Sequence, residues 1–278
     1  MANNIPKSNS WFVLSRQATS ARLRLFCFPY SGSNAALFHA WQDGLPSSIQ
    51  VYPVQLPGHG TRIAESPFTQ LAPLVQATAN ALLPYLDKPF ALFGHSLGAL
   101  LTFELARYLR RTHHITPVCL IVSGHGAPYI PDRNLPIHDL PDAEFIAKLR
   151  ALKGTPSQVL DNPELLEIIL PVLRADFAMC ETYRYEPVAP LECPIAAFGG
   201  LSDAYVSHVE LEGWREQTTA PFAIRMFPGD HFFINTARAS VLRMVAQELD
   251  LALKHNEAEK KVYASGYSMA NTAEHIVP

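Results

Sequence analysis

Cysteine, long apolar runs and basic charge are scarce in this chain, and each shortage excludes something. The four cysteines in 278 residues, Cys27, Cys119, Cys180 and Cys193, are scattered without a Cys-x-x-Cys pair. They read as reduced core residues rather than a disulfide framework or a zinc site. No segment approaches the ~18 consecutive apolar residues of a membrane span, and the N-terminal run Trp11–Leu14 is too short for a signal-peptide core. The expectation is a cytoplasmic protein with no membrane contact. Lys and Arg number 22 against 25 Asp and Glu, a net charge of −3, and no basic cluster is interleaved with aromatics. Nucleic acid is therefore not an expected partner. Eleven histidines invite a metal, but no His-Glu-x-x-His occurs, and His113-His114 follow Arg110 and Arg111 where a helical pattern ends and cations suit its dipole. No metal is expected. Internal repeats are absent as well.

What is present is the material of an α/β domain, 48% hydrophobic and 17% charged. Strand-like apolar runs recur at 22–28, 49–56, 89–93, 118–124, 194–200 and 222–227. Helical patterns fall near 34–43, 69–86, 97–111, 206–217 and 235–254. Such alternation calls for a mostly parallel sheet with helices on both faces, and ligands bind such sheets at the carboxyl ends of the strands. One block, about 135–185, breaks the alternation with helical patterns alone, which predicts an inserted helical lid. Its second pattern, "NPELLEIILPVLRADFAMCETYRY", is apolar on more than one face, and Pro171 is expected to kink or break it. A helix pair of this kind can roof an apolar channel, with Phe177 and Met179 as substrate-facing candidates beside the competing reading as plain core. The organisation expected is one domain over 1–255 and a polar, flexible tail over 256–278.

The chemistry centres on "FALFGHSLGALLTFELARYLRR". An apolar strand runs through Gly94-His95-Ser96-Leu97-Gly98 directly into an amphipathic helix, the strand–turn–helix context of a G-x-S-x-G nucleophile elbow. A serine hydroxyl needs a base, and the base needs a carboxylate to hold its tautomer. His231 follows the last strand in "FAIRMFPGDHFFI", and Asp203 follows the preceding one in "PIAAFGGLSDAYV". Three rivals compete with these assignments. His95 adjoins Ser96 on a tight turn and reads as packing or capping; Asp230 adjoins His231 and reads as a local hydrogen-bonding residue. Asp176 lies on the lid, a poor place from which to hold an imidazole. The order Ser96, Asp203, His231 is the one elbow-type hydrolases use. Two backbone donors are expected for the oxyanion: the N–H of Leu97, at the helix N-terminus, and that of Ser31, in the loop "PYSGSNAALF" that Asn34 would cap.

Together these segments resemble the type II thioesterases, the stand-alone α/β-hydrolases that accompany nonribosomal peptide and polyketide synthases. The resemblance runs from about Trp11 to about Leu251 through "FCFPYSGSNAALFHAW", "VQLPGHGTR", "FALFGHSLGALLTFELAR", "LPVLRADF", "AAFGGLSDAYV" and "RMFPGDHFF". It implies an α/β-hydrolase fold, a triad on Ser96, Asp203 and His231, oxyanion donors on Leu97 and Ser31, and hydrolysis of acyl groups from the phosphopantetheine arm of carrier proteins, with no cofactor. The family often has His or Phe where Tyr30 stands, Ala-Gly-Gly for Ser31-Gly32-Ser33, and Arg for His59. These departures put selectivity at the entrance loops, and with it a substrate contact at Tyr30, in question. Candidates for docking an acidic carrier are Arg107, Arg110, Arg111, Lys148, Arg150 and Lys153, each also readable as a solvated helix face. Nothing demands more than a monomer. Competing readings are a chain-terminating thioesterase of fatty-acid synthesis, a small-molecule esterase, and a carrier-binding scaffold with incidental hydrolysis.

Overall fold

The computed structural model describes residues 10–18, 20–131 and 133–273, with side chains placed through residue 258. Each apolar run forms a strand: β1 (Leu23–Phe28), β2 (Ile49–Pro53), β3 (Phe90–His95), β4 (Cys119–Ser123), β5 (Ile195–Gly200) and β6 (Phe222–Phe227). The helices are α1 (Trp41–Gly44), α2 (Leu71–Leu82), α3 (Leu97–His113), α4 (Asp142–Leu152), α5 (Ser157–Leu160), α6 (Pro163–Glu181), α7 (His208–Glu212), α8 (Phe233–Thr236) and α9 (Arg238–Ala273). The strands pair in parallel, in the order β2-β1-β3-β4-β5-β6.

Both faces of the sheet are buried, because successive side chains point to opposite sides. Phe26 and Phe28 of β1 and Phe90 and Leu92 of β3 pack with α2 and α3. Leu25, Cys27, Ala91 and Phe93 pack with Trp41 of α1 and with Val241, Val245 and Leu249 of α9. Strand order reverses between β1 and β3, so the crevice at their carboxyl ends is the topological switch point, where open α/β sheets place their ligands. Among the described residues, no helix is long and apolar enough to cross a membrane.

Among the described residues, the block between β4 and β5 contains the helices α4 to α6 and no named strand, around a satellite cluster of Phe145, Leu149, Leu160 and Leu173. The expected break at Pro171 does not occur, and α6 runs through it. A proline removes one donor from the ladder, and here the helix is packed on both sides of it, with Leu166 and Leu170 against the satellite cluster before it and Leu173 and Met179 buried after it. A second difference lies at the C-terminus. Helix continues well past residue 254, through Ala273, because the segment loses its apolar stripe but keeps good helix formers such as Ala, Glu and Lys. The last five residues of the expected tail lie outside the described residues.

Candidate active site

β3 passes into α3 through Ser96 alone. Ser96 takes φ 54° and ψ −118°, a conformation that costs a non-glycine residue of order 1–3 kcal/mol. The surroundings hold it there: its N–H donates to Ser123 O at 2.7 Å, and its carbonyl accepts from Ala99 N–H at 2.9 Å. The flanking glycines allow this closure. A Cβ on Gly94 would lie 2.0 Å from the Gly98 carbonyl oxygen, and one on Gly98 would lie 2.3 Å from that of Phe28. The first turn of α3 is thus pressed onto the end of β1, where the loop with Ser31 begins.

That loop is a tight turn in which Tyr30 O accepts Ser33 N–H at 3.0 Å. Gly32, at φ 73°, occupies the third position, where a type II turn demands positive φ. Gly32 N–H donates to Asp176 Oδ2 at 2.7 Å. Gly32 and Ser33 thereby spend their N–H groups, and that of Ser31 is not among those bonds. Leu97 N–H, the first of α3, has no acceptor within its helix, and the positive end of the dipole lies there. As expected, Asn34 caps the short 3-10 turn Ala35–Phe38, accepting from Ala36 N–H.

The loops after β5 and β6 bring Asp203 and His231 together, with Asp203 Oδ2 2.8 Å from His231 Nδ1. A carboxylate only accepts, so Nδ1 carries the proton and the lone pair of the neutral ring lies on Nε2. Asp203 Oδ1 accepts from Tyr205 N–H at 2.8 Å and Val206 N–H at 3.2 Å. Burial pushes the Asp203 pKa up, but the hydrogen bond and charge of His231 and the two backbone donors outweigh it, leaving the carboxyl below its ordinary range.

His95 does more than pack. It is fully buried, its Nε2 lies 2.9 Å from the His231 carbonyl oxygen, and its Nδ1 lies 2.8 Å from Ser123 Oγ. The carbonyl fixes the proton on Nε2, so Nδ1 accepts from the serine hydroxyl. Burial first, then the charge of His231, pushes its pKa well below the ordinary imidazole value, against a smaller opposing pull from the carbonyl. A neutral His95 therefore bolts the His231 loop to β4. Asp230 makes the local bond expected of it, accepting from Phe232 N–H at 2.9 Å.

Asp176 departs from expectation. It is completely buried, and its Oδ2 lies 2.9 Å from Nε2 of His59, so a carboxylate on this helix does hold an imidazole, though not that of His231. The available signal was a lone carboxylate among apolar residues in "LRADF", since a buried charge needs a partner. Of the substrate-facing candidates, Tyr30 packs edge-to-face on His95 and Phe232, with ring centroids 5.8 and 5.2 Å apart. Phe177, partly buried, packs on Phe145 within the helical insertion, and Met179 is buried in the main core. The six basic docking candidates differ in their surroundings. Arg107 is buried and paired with Glu104; Arg110 donates to the carbonyls of Ala189 and Pro190; Arg150 pairs with Asp161. Arg111, Lys148 and Lys153 are exposed.

Comparison with known proteins identifies the family and the fold. A family model described as a thioesterase domain matches residues 23–249. The chain is 45% identical over 249 residues to the gramicidin S biosynthesis protein GrsT of Aneurinibacillus migulanus, covering 90% of this chain and 97% of that one. Among solved structures, the type II thioesterase BorB from the borrelidin biosynthetic cluster aligns with a TM-score of 0.80 and 37% identity over 88% of this chain and 99% of BorB. The RedJ thioesterase from the prodiginine pathway of Streptomyces coelicolor gives 0.77 and 39% over 83% and 87%. This chain belongs to the thioesterase family and has its α/β-hydrolase fold, with type II enzymes among its near relatives.

Proposed function

We propose that this thioesterase removes acyl groups from the phosphopantetheine arm of carrier-protein domains in nonribosomal peptide or polyketide biosynthesis, clearing misprimed or stalled carriers. The observation that carries the reading is the strained Ser96 at the strand–helix elbow, with the Asp203–His231 pair on neighbouring strand-end loops. In the proposed reaction, His231 Nε2 takes the Ser96 hydroxyl proton as Oγ attacks the thioester carbonyl. The N–H groups of Leu97 and Ser31 receive the negative charge of the tetrahedral intermediate. Collapse breaks the C–S bond and releases the pantetheine thiol with the proton from His231. Water, deprotonated by the same imidazole, then cleaves the acyl-serine. A thiol, with a reference pKa near 8.5, leaves more readily than an alcohol, so simple esters are the poorer substrates. Relatives named for gramicidin S, borrelidin and prodiginine biosynthesis support the carrier-bound setting.

In this reading residues 1–255 act as one catalytic domain, and α4 to α6 form its lid over the crevice between β1 and β3. Arg111, Lys148 and Lys153 are the basic residues left to meet an acidic carrier. The test is deacylation of an acetyl-phosphopantetheinyl carrier protein followed by intact-mass spectrometry. Wild type and Ser96→Ala are compared on the carrier, on the same acyl group attached to coenzyme A, and on a p-nitrophenyl ester. Fast, Ser96-dependent release from the carrier with weaker turnover of the free substrates is the expected result. Equal or better turnover of the small ester, or release that survives loss of Ser96, would overturn it.

A further inference from the structure

A second imidazole–carboxylate pair sits behind the turn that carries Ser31. His59 lies between Gly58 and Gly60, both at positive φ, and is 5% exposed. Its Nδ1 faces the Pro57 carbonyl at 3.0 Å and its Nε2 faces Asp176 Oδ2 at 2.9 Å. Both ring nitrogens meet acceptors, so both carry protons, and the ring is an imidazolium held against a carboxylate. The same Oδ2 accepts Gly32 N–H at 2.7 Å. One turn earlier on α6, Leu173 presses on Gly32 so closely that a Cβ there would lie 2.4 Å from Leu173 Cδ2. α6 thus grips one peptide of the turn from two side chains three residues apart, one by contact and one by a charge-assisted hydrogen bond.

In a type II turn the central peptide is flipped relative to type I, and its N–H direction is the difference between the two. Here the central peptide joins Ser31 to Gly32. A fixed carboxylate accepting the Gly32 N–H holds that peptide in the flipped state and thereby sets the backbone of Ser31, one peptide upstream. We propose that Asp176 and His59 are positioning residues for the oxyanion site: Asp176 locks the Ser31-Gly32 peptide, and His59 locks Asp176. The proposal rests on the role given above to the Ser31 N–H. Asp176 Oδ1 is buried without a hydrogen-bond partner, so both donors of the lock fall on one of the two carboxylate oxygens. A guanidinium at position 59, which presents two donors in a fork, would fill both oxygens.

The test uses the full-length enzyme and two ligands of one acyl-pantetheine skeleton. One is a trifluoromethyl ketone, which adds Ser96 and places an oxyanion in the site; the other is a thioether, which binds without developing charge. Asp176→Asn is expected to slow single-turnover acylation of Ser96 about 10-fold or more and to weaken the ketone by the same factor. Removing an oxyanion donor outright costs about 10²–10³, and a loosened donor loses part of that. Thioether affinity should stay within about 2-fold, which separates this role from a general loosening of the fold. Should Asp176→Asn fail to fold, His59→Gln is expected to show the same parallel loss at about 3- to 10-fold, and His59→Arg to restore both quantities. Equal loss of ketone and thioether in the folded variants, or loss of neither, overturns the proposal. Hydrolysis that survives Ser96→Ala would instead overturn the proposed function itself, so the two failures are distinguishable.

Discussion

Two of the molecule's imidazole–carboxylate pairs are of nearly equal length, 2.8 Å for His231–Asp203 and 2.9 Å for His59–Asp176, and their surroundings give them opposite characters. Asp203 spends its second oxygen on two backbone N–H groups and holds only Nδ1 of its histidine. Nε2 stays available, on a ring that is 13% exposed. His59 has both nitrogens engaged, and it is the carboxylate that keeps an unpartnered oxygen. The first arrangement can accept a proton from a neighbour; the second has no free ring nitrogen to do so and holds things together. Whether a histidine is a base or a bolt is decided by what faces its second nitrogen, and the distance to the carboxylate is nearly the same in both.

The strongest way to break the comparison is to remove each imidazole in turn. His231→Gln should lower kcat by about 10⁵, about 7 kcal/mol of transition-state stabilisation, while leaving the unfolding midpoint close to that of wild type. Single-turnover deacylation and urea unfolding of the same samples would check this. A residual activity within about 100-fold of wild type would mean that His231 is not the base. The corresponding change in the buried pair should read out in the other measurement. Asp176→Ala leaves an imidazolium and the Gly32 N–H without their acceptor, and breaking a buried ion pair costs about 3–5 kcal/mol of stability. Urea unfolding should show that loss as a lower midpoint, and a midpoint unchanged from wild type would mean that the pair contributes nothing to holding α6 on the turn.

The same contrast explains what could be read from the chain alone. The sheet was legible because six apolar runs alternate with helical patterns, and local periodicity survives any tertiary arrangement. The elbow was legible because its chemistry is contiguous in sequence. Asp203 could be matched to His231 because chain order and strand-end placement narrow the choice. His59 and Asp176 are 117 residues apart and follow no such order. In a string, His59 is a loop residue between glycines and Asp176 a polar residue on an apolar helix, and only the packing of α6 onto the Gly32 turn makes them a pair. Beyond Leu253 the apolar stripe ends in the sequence while the helix runs on to Ala273, because a stripe reports which face could be buried and backbone propensity alone can carry the helix further.

The smallest effect sharpens the comparison most, because the two pairs should fail from opposite ends of the pH scale. The Asp203 pKa lies below its ordinary value, so the stability it contributes is present above its unfolded pKa of about 3.9 and is lost as pH falls through the folded one. For His59, burial opposes the charged ring, but the charge and hydrogen bond of Asp176, with the Pro57 carbonyl, outweigh it and raise the pKa above its ordinary value. Its contribution is therefore complete below an unfolded pKa of about 6.5 and is lost as pH rises through the folded one. Urea unfolding of wild type and His59→Gln across pH 5 to 10 should show a stability gap that is widest at the acid end and closes on the alkaline side. His59→Arg, whose charge does not titrate in this range, should keep its gap over His59→Gln throughout. A gap between wild type and His59→Gln that does not change with pH would mean that His59 carries no titrating charge, and that Asp176 is held by shape alone.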